Sequence, residues 1–129
     1  MVRQLFDEPA IAVVVQQMVA SDRSGLMFTI DPALREQILI EAAFGLGQVV
    51  VSGRVEPDTH HVDRATAMLR EVRIGCQSVR INTSPDGDVV EELDPADGWR
   101  RVLTDDEVAR VANLGLDIER HHGSPQDVE

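Results

Sequence analysis

Gln37-Ile38-Leu39-Ile40-Glu41-Ala42-Ala43-Phe44-Gly45-Leu46-Gly47-Gln48-Val49-Val50-Val51 is the stretch on which the fold turns. Residues 37–43 have the length and apolar content of a β-strand. Gly45-Leu46-Gly47 breaks that pattern and leads into three consecutive valines. The valines either open a short helix or continue as a strand, and periodicity does not separate the two. Upstream, Leu26-Met27-Phe28-Thr29-Ile30 is a second strand, closed by Asp31-Pro32 and preceded by the turn cluster Ser21-Asp22-Arg23-Ser24-Gly25. Earlier still, the β-branched run Ile11-Ala12-Val13-Val14-Val15 reads as a strand buried on both faces, continued by Gln16-Gln17-Met18-Val19.

Downstream, residues 59–63 and 67–74 alternate as a hairpin, and a further strand pair flanks the turn Ser84-Pro85-Asp86-Gly87. From Asp94 the composition becomes polar and acidic. Thr104-Asp105-Asp106-Glu107 then has the form of a capping box, in which the Thr hydroxyl accepts from the Glu107 amide and the Glu107 carboxylate from the Thr104 amide. Val108, Val111, Ala112, Gly115 and Ile118 share one face of the helix that follows, with Leu114 beside them. Gly123 stands where the helix must end, after His121-His122. The pattern predicts an α+β chain with a mostly antiparallel sheet and a C-terminal helix, one domain over residues 1–129.

Composition narrows the chemistry. The chain is 43% apolar but has three Phe, one Trp and no Tyr, so the core is built from Val, Ile, Leu and Ala. A formal charge of −11 argues against nucleic acid and anionic membranes as partners, since both need clustered cations. All 12 basic residues are Arg, which excludes a lysine nucleophile, a Schiff base or a phosphate-clamping lysine from this chain. Cys76 lies in an apparent strand without nearby Cys or His and reads as a structural thiol in a reducing, cytoplasmic setting. The apolar run 11–15 is too short to span a bilayer, and Met1-Val2-Arg3 opens no signal peptide.

The terminal Ser124-Pro125-Gln126-Asp127-Val128-Glu129 carries two carboxylates one residue apart. On an extended backbone they point the same way and suit oxygen ligation of Mg²⁺ shared with a nucleotide. The alternative is a frayed acidic tail. Gly45-Leu46-Gly47 could present amides to a phosphate or simply form a tight turn. Glu41 reads either as a carboxylate supporting the metal ligands or as a surface residue of an edge strand. His60-His61 would face opposite sides of a strand, and His121-His122 sit at a helix C-terminus where positive charge is favourable, so neither pair reads as a metal site.

Three segments in order resemble the nucleotide-binding domain of the pyruvate,phosphate dikinase, phosphoenolpyruvate synthase and rifampicin phosphotransferase family. They are Ala12-Val13-Val14-Val15-Gln16-Gln17-Met18-Val19 with Ser24-Gly25-Leu26-Met27-Phe28-Thr29, then residues 40–58 with their G-L-G…V-V-S-G…P-D run, then Leu103-Thr104-Asp105-Asp106-Glu107 through Ile118-Glu119-Arg120-His121-His122-Gly123 to the terminal D-V-E. The resemblance implies an ATP-grasp fold, of which this chain is the second lobe, truncated before its last strand. It implies ATP binding by Gln16, Gln17, Met18, Val19 and Glu129, with Gln16 ending the strand at the adenine hinge, and Mg²⁺ binding by Asp127 and Glu129. Without the family, Gln16 is a polar residue at a strand end. The implied parent chemistry carries phosphate from ATP to a carrier His and on to pyruvate or to a rifampicin hydroxyl.

The chain departs from the family pattern in several respects. Gln48 replaces a usual Glu, and the first lobe with its Lys and Arg, the Q-x-R after the D-x-E, the carrier-His domain and the acceptor domain have no counterpart in it. The expectation is a portion inactive alone, partnered by ATP and by a separately encoded amino-terminal lobe or by itself. The rival expectations are a non-catalytic module completing that lobe, a fragment of a rifampicin phosphotransferase, or a gene remnant without nucleotide function.

Overall fold

Backbone pairing sets the architecture of residues 11–129, which the computed structural model describes. Strands β1 (Arg23–Phe28) and β2 (Gln37–Phe44) lead to the single-turn helix α1 (Gln48–Val51). Hairpins β3 (Asp58–Asp63) with β4 (Leu69–Arg73) and β5 (Val79–Ser84) with β6 (Gly87–Glu92) follow. The short α2 (Pro95–Gly98), the long α3 (Asp105–His122) and the two-residue β7 (Asp127–Val128) complete the order. Five strands form one antiparallel sheet in the order β4-β3-β2-β1-β7, and β5 and β6 form a separate ribbon.

Strand alternation explains how β2 serves two cores. Ile38 and Ile40 face α3 and pack with Met27, Val62, Val108 and Ala112. On the opposite face, Ala43 packs with Leu46, Val49, Val50, Val55 and Ile81, joining α1 to the β5–β6 ribbon. Helix, not strand, is the outcome at residues 48–51. Gly45 turns the chain at φ +85°, a conformation few residues but Gly adopt, and Val49 and Val50 are then buried by one helical turn.

Helix α3 follows its sequence signals closely. Thr104 caps it with both halves of the capping box, and Gly123 closes it at φ +71° with its amide donating to the Glu119 carbonyl. Val108, Ala112 and Gly115 are buried. Leu114, however, is 59% exposed, and Leu116 packs against the core in its place.

Other expectations fail for identifiable reasons. Residues 11–15 form no strand: Ile11, Val13, Val14 and Val15 are 76–92% exposed, because no described strand offers them a ladder or an apolar face. The turn cluster 21–25 is mostly strand, since β1 begins at Arg23. Gly25 is required there by close approach, not by a turn, as a Cβ would lie 2.1 Å from the Glu41 carbonyl oxygen. Glu41 is on a central strand, not an edge. Cys76 is exposed in the connection between β4 and β5, which removes the reading of a thiol held within a strand. Residues 124–129 are no frayed tail either, because Val128 and Asp127 pair with Met27 and Phe28. Met1, Val2 and Arg3 lie outside the described residues. No described helix is long and apolar enough to cross a membrane.

Candidate functional site

Three elements converge on a cleft of about 450 Å³. Gln16, Gln17, Met18 and Val19 form one wall, Leu46, Gly47, Gln48 and Val51 a second, and Glu129 closes the end. Its size falls within the range of small-molecule sites. The five residues expected to bind nucleotide therefore line one cavity, although 16–19 reach it as irregular backbone and not as a strand. Asp127 is exposed and does not line it.

The second wall is held rigidly from behind. The Gly45 amide donates to the Asp22 carbonyl at 2.7 Å and the Leu46 amide to the Ile81 carbonyl at 2.8 Å. Both amides are thereby used within the fold, which favours the tight turn over phosphate binding for Gly45 and Leu46. Gly47, in contrast, has ordinary helical dihedrals, and a Cβ there would meet no atom nearer than Ser24 Cβ at 4.0 Å.

Asp58 fixes the floor under β2 and β3. It is fully buried, and its carboxylate accepts from the Gly75 amide at 3.0 Å and from the Val102 amide at 2.7 Å. One side chain thus ties the β4–β5 connection and the approach to α3 to the central sheet. Gln77 acts likewise, accepting from the Phe44 amide at 2.9 Å through Oε1. Neither role was visible in the sequence, because each partner lies at least 17 residues away.

Two further clefts adjoin the first. One, lined by Ser21, Ser24, Gly25 and Gly47 among others, shares Glu129 and Val51 with it. The next runs from Arg23 and Leu26 to Val111 and Leu114 on α3, and also includes Glu41 and Glu129. Among the described residues, Arg23 is the one basic residue lining any of the three. It is already committed, with its guanidinium donating to both Glu107 carboxylate oxygens at 2.9 Å and to the Val102 carbonyl at 3.0 Å. That pairing, with the Thr104 amide, lowers the Glu107 carboxyl to about 2. A triphosphate would find no uncommitted cation among these lining residues.

The histidines divide as strand alternation requires. His60 is fully buried, with Nδ1 at 3.4 Å from the Ile40 carbonyl, and burial pushes its pKa down. His61 points the other way, with Nδ1 3.2 Å from Asp31 Oδ2 but not aligned as a hydrogen bond. Among the described residues, no three His, Cys, Asp or Glu side chains gather as a metal site. Asp127 and Glu129 supply two hard oxygen donors flanking Val128, whose side chain packs against the core. That donor set fits Mg²⁺, which takes one or two carboxylates and completes its shell with water and phosphate oxygens.

Comparison with known proteins places the chain in a family. The family model described as pyruvate phosphate dikinase, AMP/ATP-binding domain, matches residues 3–129. The chain is 45% identical to a probable phosphoenolpyruvate synthase of Methanothermobacter thermautotrophicus, over 92% of this chain and 18% of that protein. It is 47% identical to a probable phosphoenolpyruvate synthase of Archaeoglobus fulgidus, over 95% of this chain and 16% of the other. Rifampicin phosphotransferase of Bacillus subtilis is 34% identical over 92% of this chain and 14% of its own. The chain therefore spans less than a fifth of the length of these relatives. On the match across residues 3–129, the chain belongs to the pyruvate phosphate dikinase AMP/ATP-binding domain family.

Proposed function

We propose that this chain is the adenine-side portion of an ATP-grasp nucleotide site, the second lobe of a phosphoenolpyruvate synthase-like phosphotransferase. One observation carries the reading: Gln16, Gln17, Met18, Val19 and Glu129 line a single cleft with Gly47. Irregular backbone at 16–19 offers amide and carbonyl groups to a purine edge, while Met18, Val19 and Val51 supply apolar cover. Glu129 binds at the phosphate end of the nucleotide, and Asp127 joins it in holding Mg²⁺. The ion, when bound, neutralises charge on the phosphate oxygens. This chain's own residues orient the base and sugar.

The chain does not transfer phosphate alone. Phosphoryl transfer depends on several cations and donors acting together, and losing one alone costs factors of about a thousand. This sequence has no Lys, and the Arg beside the clefts is neutralised by Glu107. Transfer of phosphate from ATP to a carrier His, and on to pyruvate, needs the remaining parts, on the same polypeptide or on a separate one. The relatives' much greater length supports that division.

Gly47 provides the test. It adopts helical dihedrals with open space in the Cβ direction, so Gly47→Phe fills the cleft without straining the backbone. Adenosine binding, followed by equilibrium dialysis, should be lost in this variant while its urea midpoint stays within error of the parent. Unchanged binding by a folded Gly47→Phe protein would remove this cleft as the site.

A further inference from the structure

Asp-Gly pairs occur at Asp86-Gly87 and at Asp97-Gly98, and the fold holds them in opposite settings. In such a pair the glycine nitrogen can reach the preceding side-chain carboxyl, because no Cβ stands in the way. Asp86 is exposed at the tip of the β5–β6 hairpin, and all of β6 is exposed beyond it. Gly87 sits at φ +118°, with no atom within 4 Å of the position a Cβ would take. It pairs with Ser84 in the last rung of a two-stranded ribbon, so fraying of that rung alone frees its backbone. Gly98, in contrast, is buried in α2. Its amide donates to the Asp94 carbonyl, and its carbonyl accepts from the amide of fully buried Gln77, each at 2.9 Å. A Cβ on Gly98 would lie 2.4 Å from the Gln77 carbonyl oxygen, so this backbone cannot turn toward the Asp97 carboxyl while the fold is closed.

We propose that Asp86-Gly87 is a site of spontaneous isoaspartate formation in the folded chain, and that Asp97-Gly98 is protected from it. The Gly87 nitrogen attacks Cγ of the protonated Asp86 carboxyl. The amide proton and the carboxyl hydroxyl leave together as water, and a succinimide ring closes. Water then adds to one of the two ring carbonyls. Opening at Cγ restores aspartate, whereas opening at the main-chain carbonyl leaves the chain running through Cγ as isoaspartate. No oxidant, cofactor or second protein takes part. The product has one extra methylene in its main chain at the turn, which breaks the Ser84–Gly87 rung and the bond from Ser84 Oγ to the Gly87 carbonyl at 2.7 Å. Ile81 pairs with Val90 further down the ribbon, and its carbonyl accepts from the Leu46 amide, so the damage stays at the tip and spares the wall of the cleft.

The test is to hold the full chain for weeks in warm neutral buffer, folded in one arm and unfolded in urea in the other. Isoaspartate is then read in the peptides around residues 86 and 97, by labelling with an isoaspartate-specific carboxyl methyltransferase and by fragmentation mass spectrometry. In urea both positions should convert. In the folded chain residue 86 should convert about tenfold or more faster than residue 97, since only its rung opens without global unfolding. A succinimide lighter by one water should appear at residue 86 before the label does. Asp86→Glu, which would have to close a six-membered ring, should keep its urea midpoint and lose the label at that position. Asp86→Asn should expel ammonia in place of water and become a mixture of aspartate and isoaspartate at residue 86. No isoaspartate at residue 86 of the folded chain, with both positions converting in urea, would overturn the proposal. Equal conversion at residues 86 and 97 in the folded chain would overturn it as well.

Discussion

Replacing Asp58 by Ala removes the acceptor for two buried amides at once. Gly75 and Val102 donate to separate oxygens of this fully buried carboxylate, at 3.0 and 2.7 Å. Hydrogen bonds to a charged group contribute about 1.5–3 kcal/mol each, and an orphaned buried donor costs a similar amount. Some of that is offset because the variant no longer buries a charge. The net loss should be about 3–5 kcal/mol, a large fraction of the roughly 5–15 kcal/mol stability of a typical domain. With a urea dependence of about 1–3 kcal/mol per molar, the midpoint should fall by about 2 M. Asp58→Asn keeps one acceptor oxygen and should lose about half as much. Because Asp58 does not line the cleft proposed to bind nucleotide, adenosine affinity per folded molecule should be unchanged in both variants. A midpoint shift below about 0.3 M for Asp58→Ala would refute the view that this side chain holds the three segments together.

Three other outcomes are expected. His60 is buried, and that burial pushes its pKa below the ordinary imidazole value of about 6.5. The unfolded chain therefore binds a proton the native state does not, and stability should fall as pH drops below about 6.5. Asp63 and Glu107, held at about 2, lose their contributions only further into acid, so a urea midpoint flat between about pH 6.5 and 5 would contradict this assignment. Thr104→Ala should cost about 1 kcal/mol by removing the cap on the Glu107 amide, as measured by thermal or urea unfolding; no loss would mean the capping box contributes nothing. Incubation of the pure chain with β- and γ-labelled ATP and Mg²⁺ should leave no label on any His and no turnover above a Glu129→Ala control.

Local signals in this sequence were legible where the determinants lie within a few residues. The capping box at Thr104 and Glu107, the left-handed Gly123 and the turn between β5 and β6 all follow from contacts within four positions. Long-range determinants were not legible. Gly25 looks like a turn residue until Glu41, sixteen positions away, is seen pressing on it. Residues 11–15 carry strand propensity that the described residues do not satisfy, since propensity reports a preference and not a partner. The site shows the same division. Resemblance named Gln16, Gln17, Met18, Val19 and Glu129, while the contributions of Ser21, Leu46 and Val51 to the same cleft depend on how α1 packs beneath the sheet.

A titration of the isotopically labelled chain with adenosine and with ATP, read by amide chemical shifts, tests the central claim most directly. Shifts should be confined to residues 16–19, 46–48, 51 and 129 for both ligands. Dissociation constants should be millimolar, near 4 kcal/mol, and within tenfold of each other, since among the described residues no uncommitted cation lines the cleft. Shifts centred elsewhere, or ATP binding at least a hundredfold tighter than adenosine, would contradict it.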